Sequence, residues 1–434
     1  MTERNCVRSR RGVIWLIACL CSIVILQPCR SLGWGQGHRL IREWAEVRLP
    51  DWQRELIGAE NLRRLCVDYK SLQDTHAGGK APHLDPYCKD HGLRISLHDV
   101  NPIEKSVDGM LWYLDKITSH MRAGETDEAM KFLGVLCHWN EDPGCPSAHS
   151  SPISEAELKI LIPPPPDRAR YNYLFGAGGI ADIGKYALAD EPYTPKLLGR
   201  TREEIAMQIY QRQRLLERNA AAHIVPLVQD MMHGDGAKAA RHRADAALYN
   251  AKHIADVIHT IICLAAKRFD GGAKLDASQP LTEWLPDPMG RRPGHPYYVT
   301  GFLVNQAMDA NRNQHPLAFA GPGKTSQIAQ GFGTGAPFAI NYTLAPGGVY
   351  RRFTCRVGLH KTAGANGEVA FAILINGKEV KRTKPLSPNN APEKISIELP
   401  SDKIVRLSLV TIPTDPAKSL SNLVVWADPT LEKH

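Results

Sequence analysis

Residues 138–149 read HWNEDPGCPSAH, a stretch that joins two histidines and two adjacent acids to a Pro-Gly turn. On a helix, His138 and Asp142 lie one turn apart on the same face, so an imidazole nitrogen and a carboxylate can reach one cation. Both groups are good zinc donors. A loop bent by proline then leads to His149. The stretch therefore predicts a helix that ends in metal ligands.

The sequence on either side of this stretch has the apolar spacing of helices. From Trp34 to about Phe269, apolar residues recur three and four positions apart, as at Ile254 and Ile258. Few segments alternate between apolar and polar residues. We therefore expect a mainly helical N-terminal domain over residues 34–270.

The rest of the chain has a different pattern. Glycine and proline accumulate over 271–292, which we interpret as a linker. Beyond it the apolar period becomes two, and Asn376 with Gly377 supplies the positive φ angles of a tight hairpin turn. The predicted fold class is multidomain α and β, in which the helical domain is followed by an all-β sandwich over 293–434. Strands are expected at 338–344, 350–357, 395–399, 405–412 and 423–426, with a hairpin at 371–380.

The first 33 residues have the features of a secretory signal peptide. Arginines precede a short apolar run, and Ser31-Leu32-Gly33 fits the small-x-small cleavage pattern, so the mature chain is expected to start at Trp34. An uncleaved anchor and a lipoprotein-type cleavage before Cys19 are the alternatives. We expect a secreted, periplasmic or cell-surface protein with no stable transmembrane span after cleavage.

The net charge does not indicate a nucleic-acid-binding protein. The formal charge is +8. Residues 1–33 carry five of the 53 basic groups and one of the 45 acidic groups. The remainder therefore has 48 basic and 44 acidic groups, or +4, which is too small an excess to indicate a nucleic-acid partner by itself.

The 138–149 stretch resembles the zinc-dependent phospholipase C and single-strand nuclease family. In that family, His-x-x-x-Asp and a further His, here His138, Asp142 and His149, are ligands of a zinc cluster. The mature chain begins with Trp, whose amine and carbonyl bind zinc, and a ligand His follows closely. Trp34 and His38 match that arrangement. The resemblance implies two or three Zn²⁺ ions, with Asp142 bridging two of them.

The family also has an Asp followed by a His some fourteen or fifteen residues later. Asp68 and His83 have this separation, and the resemblance makes both of them ligands, with Asp68 also the general base. Asp74, His76 and Asp85 are the substitutes.

One expected element, a His-x-x-x-Glu or His-x-x-x-Asp pair, is missing. No histidine occurs between His149 and His223. Two later pairs can replace it or can lie on a polar helix surface: His242 with Asp245, and His253 with Asp256.

Six cysteines remain after the predicted cleavage site. Cys66 and Cys88 bracket Asp68, while Cys137 and Cys145 bracket His138. In a secreted chain these are expected to form disulfides that brace the ligand loops rather than thiolate ligands, although the sequence does not give the pairing.

From about Pro293 the sequence resembles NPCBM, a family of carbohydrate-binding modules found on secreted hydrolases. The residues that carry this resemblance are 350–359, 366–371, 376–378 and 425–429. The resemblance implies a polysaccharide or cell-surface glycan as a partner.

These features leave two functions open. The first is a secreted zinc-dependent phosphodiester hydrolase, acting on a phospholipid or a nucleic acid, with an appended carbohydrate-binding module. The alternative is a non-catalytic glycan-binding protein that keeps a degenerate metal-site scaffold.

Overall fold

The computed structural model describes residues 34–76, 79–88, 95–146, 188–234, 236–269, 277–287, 302–321, 328–345, 348–401 and 404–433. The predicted signal peptide and His149 lie outside these residues. The described chain is helical up to Ala266 and then forms antiparallel β-sheets, which confirms the predicted fold class. No helix in the described segments has the length and apolar character to cross a bilayer.

The N-terminal domain has its core among long helices. The described helices are α1 (Gly37–Glu46), α2 (Asp51–Ile57), α3 (Ala59–Val67), α4 (Leu72–His76), α5 (Asp85–Cys88), α6 (Ile103–Arg122), α7 (Thr126–Glu141), α8 (Arg202–His233) and α9 (Gly236–Ala266). Short 3₁₀ helices cover Pro82–Leu84 and Asp142–Gly144.

Helix α7 is the central element of this domain. Every residue from Phe132 to Glu141 is buried, because α3, α6 and α9 pack around it. A helix enclosed on all sides is expected to be apolar all round. The polar residues at its C-terminal end, including His138 and Glu141, are therefore exceptions that need a structural or functional reason.

Local sequence signals set the bounds of the long helix α8. The Thr201 hydroxyl accepts a hydrogen bond from the Glu204 N–H at 3.2 Å, as an N-cap does. Gly234 ends the helix at φ +83°, and its N–H donates to carbonyls of the last turn. Glycine is favoured there because the left-handed conformation has no steric cost without a Cβ.

The C-terminal part consists of short strands. They are β1 (Ser278–Pro280), β2 (Leu303–Val304), β3 (Gln306–Met308), β4 (Gln314–Pro316), β5 (Gly331–Thr334), β6 (Phe338–Leu344), β7 (Tyr350–Leu359), β8 (Val369–Ile375), β9 (Lys378–Arg382), β10 (Glu393–Glu398), β11 (Val405–Pro413) and β12 (Val424–Lys433).

Two antiparallel sheets form the sandwich. One has the order β10-β7-β12-β5-β2 with β1 also paired to β12, and the other has the order β6-β11-β8-β9. The aromatic rings of Phe371 on β8 and Trp426 on β12 meet edge to face at 5.2 Å between the sheets. Asn376 and Gly377 have positive φ in the β8–β9 hairpin, which confirms the predicted turn.

The predicted linker, 271–292, is ordered in its described middle part. Ser278–Pro280 forms β1 and pairs with the end of β12. Gln208 on α8 donates to Gln279 at 3.0 Å, and Lys433 on β12 forms an ion pair with Glu204 at 2.6 Å. This segment therefore belongs to the contact between the helical domain and the sandwich.

Candidate metal centre

Three buried side chains meet at the end of α7. His138 and Asp142 lie one turn apart, as the sequence predicts, and His38 on α1 faces them. Their nitrogen and oxygen donor atoms all lie within 4.8 Å of one another. The imidazoles of His38 and His138 stack at 4.0 Å between ring centroids. The distances and donor types fit a group that could hold a metal ion.

Each of these three side chains has an atom without a hydrogen-bond partner in the described structure: His38 Nε2, His138 Nε2 and Asp142 Oδ1. Both imidazole Nε2 atoms approach the Asp142 carboxylate, at 3.5 Å for His38 and 3.3 Å for His138. An unpaired buried polar atom costs about 1–3 kcal/mol of stability. Three such atoms directed at one point need a reason other than folding.

The opposite ring nitrogens of both histidines are held in place. His138 Nδ1 lies 2.6 Å from the Lys70 carbonyl, and because a carbonyl can only accept, Nδ1 is the donor. His38 Nδ1 lies 2.6 Å from a Glu141 carboxylate oxygen. These partners leave the Nε2 atom of each ring facing the cluster. Metal-ligating histidines are commonly oriented in this way, by a carbonyl or a carboxylate on the other nitrogen.

Arg42 keeps Glu141 ionised inside the protein. Its Nε donates to one Glu141 oxygen at 2.7 Å and an Nη donates to the other at 3.0 Å. Arg42 also donates to the carbonyls of Leu65 and Gly134. Burial alone would raise the pKa of Glu141, but Arg42 and His38 outweigh it and lower that pKa to about 2. Glu141 is therefore a carboxylate that accepts from His38.

The end of α7 is capped by side chains from distant segments. The Glu141 carbonyl accepts from the Trp34 indole N–H at 2.9 Å and from Asn250 at 2.6 Å. The carbonyls of the last turn of a helix lack partners within the helix, so these bonds fix where the helix ends. A Cβ on Gly144 would lie 2.0 Å from Asn250 Nδ2, so only glycine fits at this turn.

A second set of donors lies on the more open side of the cluster. Asp74, His98 and His138 also have donor atoms within 4.8 Å of one another. His98 Nδ1 is 2.7 Å from the second oxygen of Asp142, so this carboxylate lies between the two sets. The side chains of Asp74 and His98 are 32% and 29% exposed, which gives solvent access from this side. His138 has one free nitrogen and can serve one ion at a time.

The cluster is held together by opposite charges. Burial alone would raise the pKa of Asp142, but the surrounding imidazoles, His138 first, lower it well below its ordinary value. Burial alone would lower the pKa of His138, but Asp142 and Asp74 raise it to about 9. Burial and the neighbouring His138 lower the pKa of His38. A bound cation would take the place of the proton on His138.

Only some of the predicted ligands lie in the cluster. It brings His38, His138 and Asp142 together, and Trp34 is buried beside Glu141. It does not bring Asp68 or His83 to the cluster. Asp68 is an exposed partner of Arg63 at 2.9 Å, and His83 is exposed on the Pro82–Leu84 turn. His149 is outside the described residues, and so is the chain before Trp34 that decides whether its amine is free.

Asp74 and His98, and not the predicted Asp68 and His83, lie beside His138 and Asp142. Asp74 is one of the substitutes that the sequence offers, whereas His98 is missed entirely. His98 has no helical partner at a spacing of four and lies in a short irregular segment before α6. Its proximity to Asp142 depends on how that segment packs on α7, which no local pattern encodes.

Neither late histidine pair joins the cluster. His253 Nε2 bonds to the Asn140 side chain at 3.1 Å, and Asp256 is paired with Arg212 at 2.6 Å. His242 approaches Asp230 on α8 at 3.4 Å. The missing ligand pair therefore has no replacement among the described residues.

The cysteine prediction needs a correction. None of the six cysteines of the described chain is in a disulfide, and all of them are buried: Cys66, Cys88, Cys137, Cys145, Cys263 and Cys355. Burial raises the pKa of each thiol for which a shift is resolved, Cys137 among them, so these groups remain protonated. They pack as small apolar side chains in place of the expected disulfide bridges.

The fold and the site together define the class of protein. It has a helical domain, which contains a cluster of His and Asp side chains suited to a metal ion, and a β-sandwich joined to it. Residues 299–432 match the NPCBM/NEW2 domain. This confirms the resemblance seen in the sequence for the C-terminal part of the chain. Among curated proteins, none matches the chain at a significant level.

Solved structures give low overall similarity. The carbohydrate-binding module CBM51 of Clostridium perfringens GH95, in complex with methyl-galactose, is 18% identical with TM-score 0.29, covering 36% of this chain and 99% of that one. The tandem CBM51 modules of Sp3GH98 from Streptococcus pneumoniae are 19% identical with TM-score 0.32, covering 36% and 47%. The alpha-toxin of Clostridium perfringens is 10% identical with TM-score 0.32, covering 94% and 99%. TM-scores this low do not establish a shared fold.

Proposed function

We propose that the helical domain is a zinc-dependent phosphodiester hydrolase and that the sandwich attaches it to a polysaccharide or cell-surface glycan. The observation that carries the first part is the convergence of three buried, unpartnered donor atoms, on His38, His138 and Asp142. The match of residues 299–432 to the NPCBM/NEW2 domain supports the second part. Secretion, to the periplasm or the cell surface, follows from the predicted signal peptide and belongs to the same proposal.

The donor set is suited to zinc. Imidazole nitrogens and carboxylate oxygens are common zinc ligands, whereas Mg²⁺ and Ca²⁺ prefer sites made of oxygen alone. His38, His138 and one oxygen of Asp142 would hold the buried ion. Asp74, His98 and the other oxygen of Asp142 would hold a second, more exposed ion. Zinc there would polarise a phosphoryl oxygen and make water a stronger nucleophile at neutral pH.

The protein's own groups supply orientation and proton transfer. Glu141 and the Lys70 carbonyl fix the two buried imidazoles, and Asp142 would contribute one oxygen to each ion. We place the general base at Asp74 rather than at Asp68, because Asp74 is next to the cluster and partly exposed whereas Asp68 pairs with Arg63. The Trp34 amine and His149 stay predicted zinc ligands, since His149 and the chain before Trp34 lie outside the described residues.

Hydrolysis by the full mature chain tests the proposal. With zinc added, we expect cleavage of bis-nitrophenyl phosphate that a chelator abolishes, and cleavage of either phospholipid vesicles or single-stranded DNA. Asp142→Asn should lose zinc and about 100-fold or more in rate, because even the outer-shell partners of metal ligands cost about 10–100-fold when they are removed. Asp68→Asn is the matched control and should keep both. Equal losses in the two variants would move the site to Asp68, and no zinc-dependent cleavage would reject the hydrolase.

A second function has one specific observation in its favour. The His-x-x-x-Glu or His-x-x-x-Asp pair is missing between His149 and His223, and His253 and Asp256 are engaged with other side chains. A chain with an incomplete cluster would be a glycan-binding protein with a structural ion. Glycan binding with at most one zinc per chain and no hydrolysis would favour this reading.

A further inference from the structure

The two longest helices bring together two histidines that the candidate metal centre does not use. His223 on α8 and His242 on α9 face each other, with 3.2 Å between their Nδ1 atoms. Their ring centroids are 5.5 Å apart, and the rings are tilted by 59°. At 1.5 Å per residue, His242 lies about 12 Å along α9 from Asn250, which caps α7 beside the metal centre. The two histidines therefore form a separate pair.

The separation of the two Nδ1 atoms suits a shared metal ion. Zinc binds imidazole nitrogens at about 2.0–2.1 Å in a tetrahedral arrangement, which places two such nitrogens about 3.3 Å apart. The observed 3.2 Å is close to that separation. A proton shared by the two rings would also fit this distance, so the groups around the pair have to distinguish an ion from a proton.

Asp230 on α8 orients His242. One of its carboxylate oxygens lies 3.4 Å from His242 Nε2. Because an ionised carboxylate can only accept, it favours the proton on Nε2 and leaves Nδ1 as an acceptor that faces His223. A carboxylate beside the second ring nitrogen is the usual arrangement around a histidine that binds a metal.

Asp245 offers a third donor. It follows His242 by three residues, so both lie on the same face of α9. Burial and His242 lower the pKa of His223, and Asp245 opposes them, so this carboxylate is close to the ring of His223. The side chain of Asp245 is 53% exposed, and its ion pair with Arg241 is loose at 3.8 Å, so it can turn towards an ion. Two imidazoles, a carboxylate and a water make a four-coordinate zinc set.

Helix α8 has a weak point beside His223. The helix continues through Pro226, which has no N–H to donate to the Ala222 carbonyl. The turn that contains His223 therefore has one backbone hydrogen bond fewer than a regular helical turn. A bond from this turn to α9 through an ion would offset that loss, which gives the pair a structural use.

We propose that His223, His242 and Asp245 bind one zinc ion that links α8 to α9. The ion takes the place of the proton between the two imidazoles, and water fills its fourth position. The proposal gives a role to the pair His242 and Asp245, which the sequence singles out and the metal centre does not use. It does not rest on the proposed hydrolase, since it shares no ligand with that site.

Equilibrium dialysis of the full mature chain against zinc, followed by a zinc count, tests this site. His223→Gln and His242→Gln should each bind one ion fewer than the wild type. Both side chains are partly exposed, so neither change should prevent folding. Asp230→Asn should weaken binding of this ion about ten-fold or more, because the ligand loses its orienting partner. His233→Gln, at an exposed histidine that ends the same helix, is the matched control and should keep the full count.

Asp142→Asn separates this site from the candidate metal centre. The variant should still bind the ion between α8 and α9, and zinc should still raise its thermal midpoint. Adding His223→Gln to it should remove both effects. If the hydrolase proposal fails and this one holds, the wild type should bind a zinc ion that His242→Gln removes, without any hydrolysis.

An unchanged zinc count in His223→Gln or in His242→Gln would overturn the proposal, because the two rings would then share only a proton. Loss of the same ion in His233→Gln would also overturn it, since zinc would then bind surface histidines in general.

Discussion

The helical domain has fully buried ionised side chains. In the sandwich, the most buried side chains are aromatic and aliphatic. Arg42, Glu141 and Asp142 are 0% exposed around the end of α7. In the described residues of 302–433, no Asp, Glu, Lys or Arg is buried, and Phe371 and Trp426 lie at the centre.

This difference distinguishes buried residues that stabilise the fold from buried residues that we assign to function. Apolar burial accounts for the sandwich, because area removed from water is the main favourable term in folding. Burying charges gives little net stability even when they are well paired, since desolvation offsets the attraction. The helical domain retains its buried charges for a reason that folding alone does not supply, and ion binding supplies one.

The largest expected effect is on Arg42. Arg42→Met should lower the free energy of unfolding by about 3–5 kcal/mol, because it leaves the Glu141 carboxylate buried without a counter-charge. Urea denaturation measures it. Arg39→Met on the same helix is the control, and it should change the stability little, because Arg39 is exposed and, among the described residues, pairs with Glu43 alone. Similar effects in the two variants would remove the distinction between buried and surface charge.

Gly144 is the next site to test. Gly144→Ala should cost about 1–3 kcal/mol, because the new Cβ displaces the Asn250 amide that caps α7. It should also weaken zinc binding, since Glu141 and Asp142 adjoin this turn. Gly236→Ala at the start of α9 has no atom within 4 Å of the new Cβ and should leave both properties unchanged. Normal zinc affinity in Gly144→Ala would show that the cap does not position the ligands.

Acid should destabilise the fold through buried neutral histidines. Burial lowers the pKa of His253 well below the ordinary 6.5, so below pH 6.5 the unfolded chain binds a proton that the folded chain excludes. Stability from this group is complete above pH 6.5 and falls by about 1.4 kcal/mol per pH unit below it. His253→Gln should lose this part of the slope in urea titrations between pH 7 and 5.5. The pKa of His360 in the sandwich is also lowered by burial. The variant His360→Gln therefore measures how much the sandwich contributes to the same pH dependence of stability. An unchanged slope in both variants would contradict the assignment.

The smallest effect is expected in the sandwich core. Ile373→Val on β8 should lower the free energy of unfolding by about 0.5–1.5 kcal/mol, because Ile373 is fully buried. The loss should be the same with zinc and with a chelator, unlike any loss at the metal centre. Ile397→Val on β10 is the control, since that side chain is only partly buried. A chelator-dependent effect of Ile373→Val would couple the two domains.

The sandwich was easier to predict from the sequence than the site. Period-two patterning and the Asn376-Gly377 turn act locally, so the strands could be predicted without any knowledge of distant contacts. The pair His138 and Asp142 is also local, because it depends only on helix spacing.

The other ligands depend on packing between segments far apart in the chain. Asp68 and His83 have the separation that the family resemblance requires, but Asp68, just after α3, pairs at the surface with Arg63 on that helix. Asp74 on α4 and His98 in an irregular segment meet His138 only because both segments pack on α7, and no spacing rule reports that. The disulfide prediction came from the expected compartment alone and not from the distances between thiols.

The most direct test is a crystal of the mature chain grown with zinc and measured at the zinc absorption edge. The account predicts an anomalous peak about 2.0–2.2 Å from His38 Nε2, His138 Nε2 and Asp142 Oδ1. A second peak is expected between Asp74, His98 and the other oxygen of Asp142. The absence of any peak beside Asp142, or a peak at Asp68 and His83 in its place, would contradict it.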